Sequence, residues 1–191
     1  MRSRIRCSAV FATYLVLITA GSFAQEIKVQ PKKLTPDGPG PVHERLNKLA
    51  GEWDVAIQYK LGENVYNGKA TCEAKWILGG RFLQQDYNSR FQGEPYHVLQ
   101  ILGYDNDRKK VIELKMDTLS TGLLHNEGEI SEDGKVITNI GENRDPRTKK
   151  PYKLRTVYTI TDHDHFTIDW YRIEEGVPDE KAVTLTHTRR K

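Results

Sequence analysis

The most constraining feature of this sequence is a period of two that begins at Gly51 and runs almost to the C-terminus. Trp53, Val55, Ile57 and Tyr59 alternate with Asp54, Ala56, Gln58 and Lys60, and Ala70, Cys72, Ala74 and Trp76 alternate with Thr71, Glu73 and Lys75. Successive side chains of a strand point to opposite faces, so each stretch offers one face to a core and one to water. Further stretches of this kind lie near residues 82–91, 96–104, 110–118, 122–130, 136–142, 153–161, 166–173 and 182–189. Turn-forming residues separate them, among them Gly79-Gly80, Gly93-Glu94-Pro95, Asp105-Asn106-Asp107, Asp133-Gly134 and Gly176-Val177-Pro178-Asp179. About ten short strands without crossover helices make an all-β antiparallel domain, a sandwich or a barrel. Closure is the simplest way for so long a meander to remove its edges, so a barrel is expected.

The segment before Gly51 divides into three. Arg2, Arg4 and Arg6 precede an apolar run over residues 9–20, and Ser22-Phe23-Ala24 supplies small residues where a signal peptidase cuts. The run is shorter than the ~20 residues a membrane-spanning helix needs. Residues 1–24 therefore read as a signal peptide cleaved after Ala24, which gives a secreted or periplasmic protein with no integral membrane segment once processed. Residues 25–41 carry Pro31, Pro36, Pro39 and Pro41 with Gly38 and Gly40 and have no periodic apolar face, as in a flexible linker. Val42, Leu46, Leu49 and Ala50 fall on one face at helical spacing, so a short helix over 42–50 opens the folded domain of residues 42–191.

Charge and cysteine usage narrow the partners. The chain has 29 Lys+Arg and 26 Asp+Glu, and its first 24 residues hold three arginines and no acid, so the processed chain carries 26 of each sign. A balanced chain gives no electrostatic case for nucleic acid or an anionic membrane surface. Of the two cysteines, Cys7 lies in the leader, which leaves Cys72 without an intramolecular partner.

The helix followed by Gly51-Glu52-Trp53 resembles the opening of lipocalin-like (calycin) barrels. There a glycine, any residue and a tryptophan begin the first strand, and a basic residue of the last strand packs on the indole; Arg189 is the matching residue here. A second resemblance is more specific. Gly103-Tyr104-Asp105-Asn106, Lys109-Lys110, Asp117-Thr118-Leu119-Ser120-Thr121-Gly122, Glu127-Gly128, Asp133-Gly134-Lys135 and the closing Thr188-Arg189-Arg190-Lys191 resemble the exported bacterial family known as domain of unknown function 1579. The likeness extends from His43 to the end. It implies one antiparallel lipocalin-like β-barrel with one short N-terminal helix, and no assigned activity. The chain departs from the pattern at Leu114 and Met116, where aromatic residues are common.

Candidate chemistry is sparse. Asp117, Thr118, Ser120 and Thr121 form the densest cluster of small polar groups; they suit a polar patch in a pocket and, more readily, a hairpin whose side chains cap their own backbone. His163 and His165 between Asp162 and Asp164 are the best local metal candidate among six histidines, but a closed zinc site needs four ligands and the segment reads as a turn, so no metal is assigned. Asp105-Asn106-Asp107 fails as a calcium loop because Lys109 and Lys110 stand where ligands belong. No Gly-x-Ser-x-Gly elbow is present, and Cys72 sits on an expected inner face as inert core. Glu113 and Asp117 share a strand face; such a pair could serve glycoside chemistry, but alternating charge on a wet strand face is far commoner and is the reading taken.

The expected inner face mixes bulky residues (Trp53, Tyr59, Trp76, Tyr87, Phe91, Phe166, Trp170) with small ones (Ala70, Cys72, Ala74, Gly128). About ten strands enclose more space than the eight that side chains just fill. The expectation is therefore a non-catalytic exported barrel that binds a small apolar molecule, with Trp53, Trp76, Tyr87, Asp117, Thr118, Ser120, Thr121 and Arg189 as ligand-binding candidates. Two alternatives stand beside it: a hydrolase-like enzyme with Asp117 and His125 in a site inside the barrel, and a homodimeric interaction module. No cofactor is assigned. Related ten-stranded barrels bind haem through a histidine, but none of the histidines here can be matched to such a site from sequence.

Overall fold

A computed structural model of the chain describes residues 37–144 and 148–191. The segments read as a signal peptide, with Cys7, and as most of a linker lie outside the described residues. The helix begins at Pro41, inside the segment read as linker and one residue before the expected start. It runs as α1 (Pro41–Leu46) and tightens into a 3₁₀ turn (Asn47–Leu49). Proline favours the first helical position because the N–H it lacks would be unpaired there. Leu46 and Leu49 are fully buried and plug one end of the sheet. Upstream of the helix, Asn106 Nδ2 donates to Asp37 Oδ2 and to the Gly38 carbonyl, both at 3.1 Å.

Ten strands follow: β1 (Gly51–Leu61), β2 (Asn64–Ile77), β3 (Phe82–Phe91), β4 (Glu94–Asp105), β5 (Lys110–Asp117), β6 (Leu124–Ile130), β7 (Val136–Arg144), β8 (Pro151–Ile160), β9 (His165–Ile173) and β10 (Glu180–Arg189). Each pairs antiparallel with its neighbour in sequence, and β1 pairs with β10 to close the barrel. The closing register sets Trp53 opposite Arg189 and Val55 opposite His187. The expected strand count and closure are therefore what the chain adopts, though β2 starts at Asn64, well before Ala70, and β6 starts at Leu124. Gly122 is lost to the turn because its N–H is taken by Ser120 Oγ at 3.1 Å.

The closed end shows why this opening sequence is needed. Gly51 has φ +124°, and a Cβ there would sit 2.3 Å from Arg189 Nη1. That close approach lets Arg189 lie 4.1 Å from the Trp53 ring centre. The same guanidinium donates to the carbonyls of Ala50 (2.8 Å), Lys48 (3.1 Å) and His163 (2.9 Å). Trp53 Nε1 donates to the Leu49 carbonyl at 3.0 Å. One arginine from the last strand thus ties the helix, the first strand and the β8–β9 turn together.

Candidate functional site

From the closed end outward, the interior passes through a packed plug, a polar belt and an open chamber. In the plug, Trp53 meets Phe166 edge-on, and Phe166 stacks on His187 with ring centres 3.9 Å apart. His187 Nε2 shares a hydrogen bond of 3.1 Å with the Tyr87 hydroxyl. Burial drives the His187 pKa down to about 3, so this imidazole is neutral at physiological pH. Burial likewise pushes the Cys72 thiol up to about 12, which leaves it unreactive in the folded protein.

The belt is built around Glu113. β5 turns Val111, Glu113, Lys115 and Asp117 inward, as its pairing with Gly128, Asn126 and Leu124 of β6 requires. Glu113 is 2% exposed, so the reading of it as a charge on a wet face is corrected: the charged face of β5 is the inner one. Its carboxylate accepts from Tyr158 OH (2.6 Å), Thr156 Oγ1 (2.7 Å), Asn126 Nδ2 (3.0 Å) and Asn139 Nδ2 (3.4 Å). Gln100 Nε2 donates to the Tyr158 hydroxyl and, at 3.0 Å, to Gln85 Oε1. Gly141 makes room for this arrangement, since a Cβ there would come within 2.1 Å of Asn126 Oδ1. Four neutral donors thus hold the buried carboxylate, three on Oε2 and one on Oε1.

Beyond the belt lies a chamber of about 260 Å³ whose walls include Val55, Ile57, Ala70, Val98, Trp170 and Leu185. Gly68 and Ala70 of β2 keep one wall thin. The chamber leads into a wider mouth of about 920 Å³ formed partly by Asp117, Leu119, Ser120 and Thr121 of the β5–β6 turn. Lys115, Trp170 and Val183 border both spaces and mark the throat between them. Lys115 Nζ lies 3.8 Å from the Trp170 ring centre. Burial lowers its pKa to about 8 against the opposing pull of Asp117 and Glu113.

The sequence matches the family described as "Protein of unknown function (DUF1579)" over residues 38–189. The chain belongs to the DUF1579 family. Among solved structures, this DUF1579 barrel is similar to Rv2717c from M. tuberculosis, with 20% identity, a TM-score of 0.60, and coverage of 81% of this chain and 100% of that one. It is also similar to a redesigned β-barrel, with 12% identity, a TM-score of 0.44 and the same two coverages. The first likeness is one of fold. No curated protein matches the chain.

The candidate residues of the DUF1579 barrel separate into two groups. Tyr87 lines the chamber, and Asp117, Ser120 and Thr121 line the mouth. Asp117 also accepts from Tyr96 OH (3.1 Å) and from the Leu119 N–H (2.9 Å), so the polar cluster both caps its turn and faces the mouth. Thr118 Oγ1 accepts from the His97 N–H at 3.2 Å and serves the backbone. Trp53 and Arg189 sit in the plug, and Trp76 is held under the helix by Asn47 Oδ1 at 2.7 Å; none of the three borders the chamber. Sequence reasoning passed over Lys115, the one ammonium at the throat. The available signal was its position two residues from Asp117 on one strand face.

The other chemical readings are placed as follows. Asp117 faces inward, whereas exposed His125 pairs with outward Leu114, so the two lie on opposite faces of the sheet. His163 and His165 are exposed and hydrogen-bond to Asp164 (2.8 Å) and Asp162 (2.9 Å) within their turn. Among the described residues, no group of three or more metal-ligating side chains converges. His187 does not fit a haem ligand: Tyr87 engages its Nε2, Phe166 covers its ring, and it is not on the chamber wall.

Proposed function

We propose that this DUF1579 protein is an exported barrel that binds a small, largely apolar molecule in its chamber. The carrying observation is the apolar hollow of about 260 Å³, open to solvent through a polar mouth. Ligand sites are typically concave and mostly apolar with a few polar groups that fix orientation, at roughly 300–1,000 Å³ for drug-sized ligands. This chamber lies just under that range and suits a smaller molecule. Gly68 and Ala70 supply the space. Entry runs through the mouth.

Native mass spectrometry of protein purified from its own host tests the reading. A retained small molecule is expected in wild type and absent in Ala70→Phe, whose ring occupies the chamber. The same occupancy in both proteins, or none in either together with no binding of added apolar probes, would reject it. Export is supported by the basic, apolar and small-residue order of residues 1–24. N-terminal sequencing of the host protein is expected to begin at Gln25; an intact Met1 would refute processing.

A further inference from the structure

The throat residue Lys115 extends this reading, on which the present inference rests. We propose that Lys115 receives the acid group of the ligand, so that the barrel takes a small apolar molecule ending in a carboxylate. Lys115 lines the apolar chamber and its Nζ lies over Trp170, and among the described residues no carboxylate comes within 4.0 Å of it. Lys115 is half-buried; an unpaired ammonium that gives up part of its hydration is costly, and an indole face answers only part of that loss.

The groups around it leave this role open. Of its own strand, Glu113 and Asp117 are the nearest charges. Glu113 already accepts from Tyr158, Thr156, Asn126 and Asn139, and Asp117 is engaged by Tyr96 and the Leu119 N–H. The paired residues on β4 and β6 are Gln100 and Leu124, which carry no charge. On the mouth side, Arg144 of β7 adds positive charge, while Arg172 of β9 is ion-paired with Glu174 and lies over the Tyr152 ring of β8. Glu142 of β7 is the remaining acid of the mouth, and Lys149 adds a further cation. Arg90 is the second cation on the chamber lining. An entering carboxylate passes Arg144 and Lys149 before it meets the ammonium, with its apolar body directed to Val55, Ile57 and Leu185.

The chemistry gives a second, independent readout. Burial lowers the Lys115 pKa to about 8. A carboxylate placed beside it favours the charged form, so binding near pH 8 takes up a proton.

Isothermal titration with octanoate and with 1-octanol, which match in chain length, tests the proposal in wild type, Lys115→Met and Ala70→Phe. Wild type is expected to bind octanoate at least tenfold more tightly than octanol, with proton uptake at pH 8 detected by varying the buffer. Lys115→Met is expected to lose the preference and the proton uptake while still binding octanol. Equal binding of the two probes by wild type, or an unchanged preference in Lys115→Met, overturns the role of Lys115 and leaves the chamber reading standing. Failure of wild type to bind either probe overturns both.

Discussion

His187 makes the stability of the barrel depend on pH in a calculable way. In the folded chain its pKa is about 3, against 6.5 for an unburied imidazole. The unfolded state therefore binds a proton that the folded state refuses, and stability is full above pH 6.5 and falls as pH drops toward 3. With 1.36 kcal/mol per pKa unit, this group alone removes about 1.4 kcal/mol between pH 7.5 and 5.5 and about 2.7 kcal/mol by pH 4.5. Glu127, Glu129, Asp133, Asp162 and Asp164 are held below the usual carboxylate range by hydrogen bonds, so they titrate below pH 5.5. His43 is also lowered by burial and acts in the same direction. The comparison with His187→Phe subtracts it, because phenyl keeps the stack on Phe166 and does not titrate. Loss of the Tyr87 partner costs that variant ~1–3 kcal/mol at every pH. Urea unfolding at pH 7.5 and 5.5 is the assay. Wild type is expected to lose about 1.4 kcal/mol more than the variant between the two, a midpoint shift of roughly 0.5–1.4 M at typical urea slopes. Equal pH slopes in the two proteins would refute the reasoning.

Three further outcomes follow from the same geometry. Arg189→Lys keeps the charge but cannot reach three carbonyls and the Trp53 face together, so it is expected to cost ~2–4 kcal/mol in denaturant melts; a loss below ~0.5 kcal/mol would show that the guanidinium does not tie the end together. Tyr158→Phe removes the hydroxyl between Glu113 and Gln100 and is expected to cost ~1–3 kcal/mol while leaving the circular dichroism spectrum unchanged; an unchanged melting temperature would mean the belt is not held through that group. Cys72 is expected to resist an aromatic disulfide reagent at pH 8 in the folded protein and to react within minutes in urea, and rapid reaction of native protein would contradict its burial.

The closed end was legible in the sequence because each residue there has one demand that few alternatives meet. Gly51 needs a positive φ and room for a guanidinium, Trp53 needs a flat cation, and Arg189 supplies it from the register-matched end of the last strand. Strand count and closure were legible from period and turn chemistry. What alternation does not give is its sign. In β5, Ile112, Leu114 and Met116 point outward and stay only half-buried beside Leu99, Ile101 and Gly103 of β4, while Glu113 and Lys115 point inward. A hydrophobic pattern alone assigns those faces the other way round. Only the pairing of Val111 with Gly128 and of Glu113 with Asn126 reveals the polar interior. The belt draws one residue each from β3 to β7 and two, Thr156 and Tyr158, from β8, so no local motif announces it. Lys115 was missed for the same reason.

The small wall of the chamber allows binding and stability to be separated. A hollow of about 260 Å³ is larger than a packing fault, and an enclosed apolar cavity costs ~24 cal/mol per Å³ of its volume. Opening to solvent lowers that cost without abolishing it, because the lining still lacks partner atoms on one side. Ala70 lies on this wall between Val55 and Ser89, so Ala70→Leu places three added carbons where there is space for them. At about 0.8 kcal/mol for each buried CH₂, the gain has a ceiling of ~2.4 kcal/mol, and a stabilisation of ~1–2 kcal/mol is expected after imperfect fit. Octanoate affinity in the same variant is expected to fall at least tenfold. Proteins retain destabilising hollows where function uses them, and filling such a hollow raises stability while lowering activity. If Ala70→Leu instead loses ~1–3 kcal/mol, as overpacked cores do, the wall is already full and the space attributed to the ligand does not exist in solution.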